Sequence, residues 1–423
     1  MNQKLFDYIA ASPTAYHAVS HTAALLHQAG YTPLQEADAW TLEPGKGYYV
    51  CRNGSSLLAF RMPKGDFSGF MMTAAHSDSP CFKIKDNAEL PGQYTVRLST
   101  EKYGGLICAT WMDHPLSAAG RVLVRTETGM HSRLIDFVEP CAMIPNVAIH
   151  MNRKVNDGYA YDLAVDMLPL YGGEAGSFKA RVAELAGCDE ADILATDLFL
   201  YNPQPGVQWG DYISAPRLDD LQCAYAALEA FLAARNADNL PVYCLFDNEE
   251  VGSRTKQGAE STFLADTLQR ICDAAGTSLS RKLPGSFLIS CDNGHAVHPN
   301  HPEYADKNHA IHMNQGIAIK FNANQRYTSD AVSAGLFRLL CQQTDVPVQN
   351  YCNRADMAGG STLGNIANTK ISVNTVDIGL PQLAMHSSFE TAGSQDTAYL
   401  VRVLTRFFAT CLRPTADGGY RVD

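Results

Sequence analysis

Apolar and polar positions along the chain form blocks that predict alternating strands and helices. The first blocks are a helical pattern at residues 15–26, ended by Gly30, and short β-branched and aromatic runs at residues 48–52, 56–61 and 69–75. Later blocks predict strands at residues 242–246, 286–290, 316–321 and 375–378, and helices at residues 221–234, 260–275, 331–342 and 395–410. This order of elements indicates an α/β fold.

A middle segment has a different pattern, which predicts a β-rich insertion. Its apolar and polar residues alternate in runs at residues 94–98, 106–111 and 120–125. The sequence has no low-complexity linker, so we expect the insertion to be packed. The chain is therefore divided into a discontinuous domain, residues 1–83 and 206–423, and an inserted domain, residues 84–205.

The strand predicted at residues 242–246 leads directly into a group of carboxylates. Asp247, Glu249 and Glu250 follow it. In open α/β sheets, ligands bind beyond the carboxyl ends of the strands, which favours a binding site here. If the extended backbone continued, Glu249 and Glu250 would point to opposite sides and have different tasks. The alternative is a solvated loop.

Further candidates follow other predicted elements. His76 ends one strand and is followed by Asp78, a spacing typical of an imidazole whose second nitrogen is held in place. Asp292 ends another strand. Asp219 and Asp220 precede a predicted helix, where capping is the alternative explanation.

Two single residues have positions that leave burial and function both open. His150 follows the apolar run at residues 142–149, where either a satisfied buried histidine or a functional one would fit. Lys320 lies inside the run at residues 316–321, where a cation is costly unless it is paired or has a task. Its long side chain could also reach the surface.

Composition limits the class of protein. A chain of 423 residues suggests two or three domains, and 46% hydrophobic with 18% charged residues indicates a globular protein. The net charge of −11 argues against a nucleic-acid partner. No apolar run is long enough for a membrane span, and the N-terminus does not resemble a signal peptide. The 12 scattered cysteines, without a C-x-x-C pair, indicate reduced thiols in a cytoplasmic protein.

Taken together, the polar residues provide enough ligands for two metal ions. The five candidates are His76, Asp219, Glu250, Asp292 and His386. Two imidazoles and three carboxylates without a thiolate suit a pair of zinc ions, with manganese or cobalt as alternatives. A carboxylate that bridges two cations is the arrangement of two-metal aminopeptidases, in which bound water is the nucleophile.

Six motifs resemble those of the M18 family of metallopeptidases, the aspartyl aminopeptidases, and occur in the same order. They are TAAHSDSP at residues 73–80, SAPRLDD at 214–220, FDNEEVGS at 246–253, SCDNGHAVHPN at 290–300, NQRY at 324–327 and PQLAMHS at 381–387. The resemblance covers nearly the whole chain. It implies a zinc-peptidase α/β fold, with a mixed sheet flanked by helices, and an inserted domain that builds dimers and then a tetrahedral homododecamer.

The resemblance implies how the metal ligands are divided. His76, Asp219 and Asp292 would bind one zinc ion. Asp219, Glu250 and His386 would bind the other, so that Asp219 bridges the two zinc ions of each subunit.

The resemblance also implies roles for residues that do not bind metal. Glu249 would be the general base, and Asp78 the carboxylate behind the first histidine ligand. His150 would reach the active site of a neighbouring subunit and help to bind substrate or the developing oxyanion. Lys320 would meet an acidic substrate side chain, and Tyr327 would also contact substrate.

These roles describe a dizinc aminopeptidase that removes N-terminal residues, preferably Asp or Glu, from peptides with a free N-terminus. Two alternatives stay open: a dinuclear amidohydrolase acting on N-acyl amino acids, and a non-catalytic assembly protein on the same scaffold. One position departs from the family, which commonly has asparagine where this chain has Asp220. The extra carboxylate beside the bridge leaves the metal preference open.

Overall fold

The computed structural model describes residues 1–235 and 238–423. Its helices are α1 (Asn2–Ala10), α2 (Ala15–Gln28), α3 (Ser177–Ala186), α4 (Leu218–Ala233), α5 (Phe263–Ala274), α6 (Leu279–Lys282), α7 (Ala331–Gln343), α8 (Leu363–Ala367) and α9 (Asp396–Phe408). The first half of the chain contains strands β1 (Thr32–Leu34), β2 (Gly47–Arg52), β3 (Ser56–Arg61), β4 (Phe70–His76), β5 (Cys81–Pro91), β6 (Val96–Tyr103), β7 (Pro115–Thr126), β8 (Gly129–Asp136), β9 (Ala142–Met143), β10 (Leu170–Tyr171) and β11 (Ile193–Tyr201). The strands after these are β12 (Val207–Trp209), β13 (Tyr212–Ala215), β14 (Leu240–Phe246), β15 (Phe287–Cys291), β16 (Gly294–His295), β17 (Ile317–Phe321), β18 (Val348–Cys352), β19 (Asn374–Gly379), β20 (Pro381–Leu383), β21 (Glu390–Gly393), β22 (Leu412–Pro414) and β23 (Tyr420–Val422).

The main sheet is mixed and has nine strands, in the order β1-β2-β3-β14-β4-β15-β19-β17-β18. Its centre consists of the parallel neighbours β14, β4 and β15. On one side of this centre, β14 pairs with β3 in antiparallel orientation. On the other side, β19 pairs with β17, also in antiparallel orientation. Every residue of β14, β4 and β15 is buried, as expected for parallel strands that are covered on both faces.

Helices cover both faces of the main sheet. Along β14, Tyr243 and Leu245 belong to one core with residues of α1, α2, α4, α7 and α9. Val242 and Cys244 belong to a second core with residues of α5 and α8. This follows from the two-residue period of a strand, in which successive side chains point to opposite faces. The predicted α/β fold, a mixed sheet flanked by helices, is confirmed.

A second sheet of seven strands has the order β11-β5-β6-β10-β9-β7-β8, with an additional pairing of β11 to β7 that closes six of the strands into a ring. The strand predicted at residues 106–111 is wrong, because Cys108–Trp111 forms a single 3₁₀ turn. Trp111 packs edge-on against Phe82, with ring centroids 5.5 Å apart. The apolar pattern there reflects a turn buried in the core of the second sheet, and no strand forms.

A third sheet lies beside the carboxyl ends of the central strands, in the order β12-β13-β21-β20-β16. Its strand β16 begins three residues after β15 ends, and β13 ends three residues before α4 begins. The third sheet therefore brings segments from distant parts of the chain to one edge of the main sheet.

Two composition-based expectations concern the whole chain. Within residues 1–235 and 238–423, no helix is both long and apolar enough to cross a membrane. None of the 12 cysteines forms a disulfide; six are buried and six are half-buried.

Candidate metal centre

Three adjacent parallel strands direct their last residues to one edge of the main sheet. His76 is the final residue of β4 and is paired in register with Phe246, the final residue of β14. Asp292 directly follows β15 on the other side of β4. The turn with Glu249 and Glu250 follows β14. Polar residues that are far apart in sequence thus converge because their strands are parallel neighbours.

The carboxylate of Asp219 lies between two imidazoles. Its Oδ1 is 3.4 Å from Nε2 of His76, and its Oδ2 is 3.4 Å from Nε2 of His386. Nε2 of His386 is also 3.4 Å from Oε2 of Glu250, and Nε2 of His76 is 3.9 Å from Oδ1 of Asp292. The five ligands predicted from the sequence therefore form two groups that share one carboxylate.

The three separations of 3.4 Å fit metal binding better than hydrogen bonding. A hydrogen bond between a ring N–H and a carboxylate is about 2.7–3.2 Å long. A tetrahedral zinc ion with bonds of about 2.0–2.1 Å holds its ligand atoms about 3.3–3.4 Å apart. Oδ1 of Asp219 and Oε1 of Glu250 are buried and have no hydrogen-bond partner. The residues present therefore fit a zinc pair.

The electrostatics of the cluster also favour bound cations. Asp219, Asp292 and the carboxylate of Glu250 are all buried. Burial raises the pKa of Asp219, but the two imidazoles beside it outweigh burial and lower it. Burial and the neighbouring Asp219 raise the pKa of Glu250. Buried carboxylates at this density are costly unless opposite charges compensate them.

The first turn of α4 shows that Asp219 and Asp220 are not helix caps. Both residues have non-helical backbone angles, and the residue before the helix, Arg217, has a left-handed φ of 57°. Among the described hydrogen bonds, no amide of α4 donates to either side chain. Asp220 instead accepts a hydrogen bond from the amide of His76 (3.1 Å). The capping explanation for this pair is wrong.

The backbone after β14 is not extended, so the alternation expected for Glu249 and Glu250 is wrong. Asn248 has a left-handed φ of 63°, and Glu249–Val251 form a 3₁₀ turn. The turn is held by Asp78, whose carboxylate accepts hydrogen bonds from the amides of Glu249 and Glu250, each at 3.1 Å. Long-range hydrogen bonds set the directions of the two glutamates. The two-residue period of a strand does not apply to this turn.

Glu249 has the electrostatic environment expected of a proton acceptor. Burial raises its pKa to about 8; the proximity of His76 lowers it, and nearby carboxylates including Asp292 raise it. Its carboxylate oxygen belongs to the group formed with His76 and Glu250. A pKa near neutrality at the edge of a metal-binding cluster is typical of a general base.

Both imidazoles are held through Nδ1. Nδ1 of His76 is 3.0 Å from the main-chain oxygen of Asp78 and 3.5 Å from its carboxylate, so the closer partner is the carbonyl. Nδ1 of His386 is 2.9 Å from the main-chain oxygen of Gly105. Each contact leaves Nε2 free to face the cluster, which is how ligand histidines are usually oriented.

Glu390 belongs to the cluster and was missed by sequence reasoning. It is 2% exposed, and its two oxygens accept hydrogen bonds from the amides of Asp219 (2.9 Å) and His386 (2.7 Å). A glutamate four residues after His386 was the available signal, but only the structure shows that β21 pairs with β13 beside Asp219.

The remaining predicted site residues divide between the cluster and the surface. Nζ of Lys320 is 3.5 Å from Oδ2 of Asp292 and donates to the main-chain oxygen of Asn293 (2.8 Å). Lys320 therefore does not reach the surface. The buried ring of Tyr327 lies 5.6 Å from the same Nζ. His150 lies on an exposed loop after β9 and is outside the ligand groups, so of its two explanations the satisfied buried histidine is wrong.

Comparison with known proteins agrees with this geometry. The family model described as aminopeptidase I zinc metalloprotease (M18) matches residues 8–408 of this chain. A protein of Pseudomonas paraeruginosa named probable M18 family aminopeptidase 2 is 42% identical, over 98% of this chain and 99% of its own length. One of Clostridium novyi with the same name is 41% identical, over 96% and 98%.

Solved structures show the same relationship. A chain of the complex of Ape4 and Nbr1 is 33% identical, with a TM-score of 0.93 over 96% of this chain and 85% of that chain. The S. cerevisiae mApe1 dodecamer is 28% identical, with a TM-score of 0.85 over 96% and 95%. From the family match over most of its length, and from relatives above 40% identity that it covers almost completely, the chain belongs to the M18 family of zinc metallopeptidases, the aminopeptidase I family.

Proposed function

We propose that this M18 aminopeptidase uses two zinc ions per subunit to remove N-terminal residues from peptides, with a preference for Asp and Glu. The proposal rests on one observation: the two carboxylate oxygens of Asp219 each lie 3.4 Å from Nε2 of a different imidazole. His76 and Asp292 complete one proposed zinc site, and Glu250 and His386 complete the other. The shared carboxylate then bridges the sites.

The proposed mechanism assigns the proton transfers to Glu249. Zinc ions bound at the cluster would activate a water molecule and polarise the scissile carbonyl. Glu249 accepts the proton of the attacking water, since burial gives it a pKa near neutrality, and returns it to the leaving amine. Asp78 keeps the turn with Glu249 in place through its two backbone hydrogen bonds.

Paired substrates test the proposed function against the two alternatives. Zinc-reconstituted protein is incubated with Asp-Ala, Leu-Ala and N-acetyl-Asp, and the released amino acids are quantified. We expect release from the free dipeptides, faster from Asp-Ala, and none from the acetylated amino acid. Release of aspartate from N-acetyl-Asp alone would support an amidohydrolase. No release from any substrate would support a non-catalytic scaffold.

Lys320 is proposed to provide the acidic preference. Its ammonium group is a buried cation beside Asp292, and its replacement in Lys320→Met removes the charge while keeping the apolar stem. We expect kcat/KM for Asp- and Glu-initiated peptides to fall by about tenfold to hundredfold, because a hydrogen bond to a charged group is lost. For Leu-initiated peptides we expect a change below about threefold.

A matched control is Lys282→Met. Lys282 is also a buried lysine paired with an aspartate, Asp66 (2.7 Å), but it is not part of the cluster. This variant should keep the acidic preference. An equal loss on all substrates for Lys320→Met would instead show that Lys320 acts only through its ion pair with Asp292.

We also propose that residues 84–205 form a domain that builds dimers within a tetrahedral homododecamer, and that His150 acts in the neighbouring subunit. The dodecameric structure of S. cerevisiae mApe1 supports assembly. Exposed apolar residues flank His150: Val147 (48% exposed), Ile149 (47%) and Met151 (81%). An exposed apolar patch of this kind suits an interface between subunits.

Subunit complementation tests the proposed role of His150. We expect His150→Ala and Glu249→Gln assemblies to be inactive separately. Co-expressed, the two variants should recover roughly a quarter of wild-type activity, because half of randomly formed two-fold dimers are mixed and each mixed dimer has one intact site. Native mass measurement would confirm assembly. No recovery in mixed assemblies would show that His150 does not act across the interface.

A further inference from the structure

A short segment of the second sheet reaches into the metal centre. This connector, residues 103–110, begins at the last residue of β6. Its Gly105 carbonyl is the 2.9 Å partner of Nδ1 of His386, and the amide of Ile107 donates to the main-chain oxygen of His386 (3.0 Å). The connector therefore holds both the ring and the backbone of a proposed zinc ligand.

Tyr103, the first residue of the connector, is fixed by partners from both sheets. Its hydroxyl donates to Oδ2 of Asp78 (2.7 Å) and accepts from Nδ2 of Asn248 (2.8 Å). Its ring packs edge-on against Phe199 of β11, with centroids 5.7 Å apart. Burial, and then the charge of Asp78, raise the pKa of Tyr103, so its hydroxyl stays protonated and donates.

The two partners of the Tyr103 hydroxyl control the turn after β14. Asp78 accepts the amides of Glu249 and Glu250, and Asn248 provides the left-handed residue at which the turn begins. The connector also packs on the turn itself: a Cβ at Gly104 would lie 3.1 Å from Cβ of Glu250.

We propose that Tyr103 is a positioning residue of the metal centre, which acts through Asp78 and Asn248 to direct the side chains of Glu249 and Glu250. The inference rests on the proposed roles of these two glutamates. It makes the second sheet a supporting part of the active site, because the hydroxyl that fixes the turn comes from β6.

A phenol–carboxylate hydrogen bond elsewhere in the same sheet provides a matched control. The hydroxyl of Tyr201, in β11, donates to Oδ1 of Asp136 at 2.7 Å, the same length as the bond from Tyr103. Tyr201→Phe and Tyr103→Phe therefore each remove one hydroxyl and keep the ring. Both variants should have a lower unfolding temperature, and the decrease should be larger for Tyr103→Phe, because its hydroxyl makes two hydrogen bonds and that of Tyr201 makes one.

Zinc affinity separates positioning from a general structural role. Zinc is competed from each variant with a chelator, and kcat and KM are measured on Asp-Ala. For Tyr103→Phe we expect the affinity of the more weakly bound zinc ion to fall by about tenfold to hundredfold. We expect kcat to fall about tenfold and KM to change by less than about twofold. Tyr201→Phe should leave zinc affinity and KM unchanged. Equal zinc affinity in both variants would overturn the proposal.

A double variant tests whether Tyr103 acts through Asp78. In an Asp78→Asn background, we expect Tyr103→Phe to lower zinc affinity by clearly less than it does in the wild-type background, because one of the two partners of the hydroxyl is already altered. Additive losses would contradict action through Asp78. The competition measurement needs no substrate, so it remains decisive even if the wild-type protein fails to hydrolyse dipeptides and the proposed function is wrong.

Discussion

Replacing Glu249 by glutamine is expected to abolish peptide hydrolysis while both zinc ions stay bound. Glutamine keeps the size of the side chain but cannot accept the proton of the attacking water. General-base catalysis contributes about 10²–10⁴-fold, so we expect kcat on Asp-Ala to fall by about 10³-fold. Steady-state kinetics, together with zinc analysis of the same preparation, measure both effects.

The neighbouring variant Glu250→Gln is the matched control for Glu249→Gln. Glu250 faces His386 at 3.4 Å and is proposed as a zinc ligand, so its replacement should reduce the zinc content. The two variants differ by one position in the same 3₁₀ turn. If Glu249→Gln lost zinc and Glu250→Gln kept it, the two roles would be reversed.

Replacing Asp219 by asparagine is expected to remove at least one of the two zinc ions. Each oxygen of Asp219 faces its own imidazole, and the amide nitrogen of asparagine cannot bind a cation in place of the lost oxygen. We expect the zinc content to fall from two per subunit to one or fewer, with a loss of activity of about 10³-fold or more. Elemental analysis after dialysis against trace zinc measures the content.

Asp220→Asn provides the control for Asp219→Asn at the adjacent position. The amide oxygen of asparagine can still accept the hydrogen bond that Asp220 now accepts from the amide of His76. We therefore expect this variant to bind two zinc ions and to keep activity within about threefold. Loss of zinc in Asp220→Asn, with normal content in Asp219→Asn, would show that the wrong carboxylate has been assigned to the bridge.

The central strands β14, β4 and β15 of the main sheet could be predicted from the sequence because they are buried along their whole length. Strand β14 is an apolar run with β-branched and aromatic residues, and every position of it is buried. The ends of such runs also indicated two of the proposed ligands, since His76 and Asp292 directly follow the last apolar residues of their runs. A strand end can be recognised from the local sequence alone, without knowledge of the fold.

Residues whose positions depend on distant contacts could not be predicted in the same way. The turn at Glu249–Val251 depends on Asp78, 171 residues away, and the sequence gives no local sign of that contact. The 3₁₀ turn at Cys108–Trp111 has the composition of a strand because it packs into the core of the second sheet. Local periodicity reports burial, and burial alone does not distinguish a strand from a buried turn.

The residues that support the centre were the hardest to find. Glu390 joins Asp219 to His386 through two backbone amides, and Tyr103 reaches the turn from another sheet. Neither follows a strand that the sequence predicted, and the four-residue spacing from His386 to Glu390 does not by itself indicate a contact. In two of these four bonds the partners lie 145 or more positions apart, so the folded chain is needed to identify them.

The most direct test of this account is anomalous diffraction at the zinc absorption edge, from crystals of the zinc-reconstituted protein. Two peaks per subunit are predicted, about 3.5–4 Å apart on either side of the Asp219 carboxylate. One peak should lie beside His76 and the other beside His386. A single peak, or no peak among these residues, would contradict a two-zinc centre bridged by Asp219.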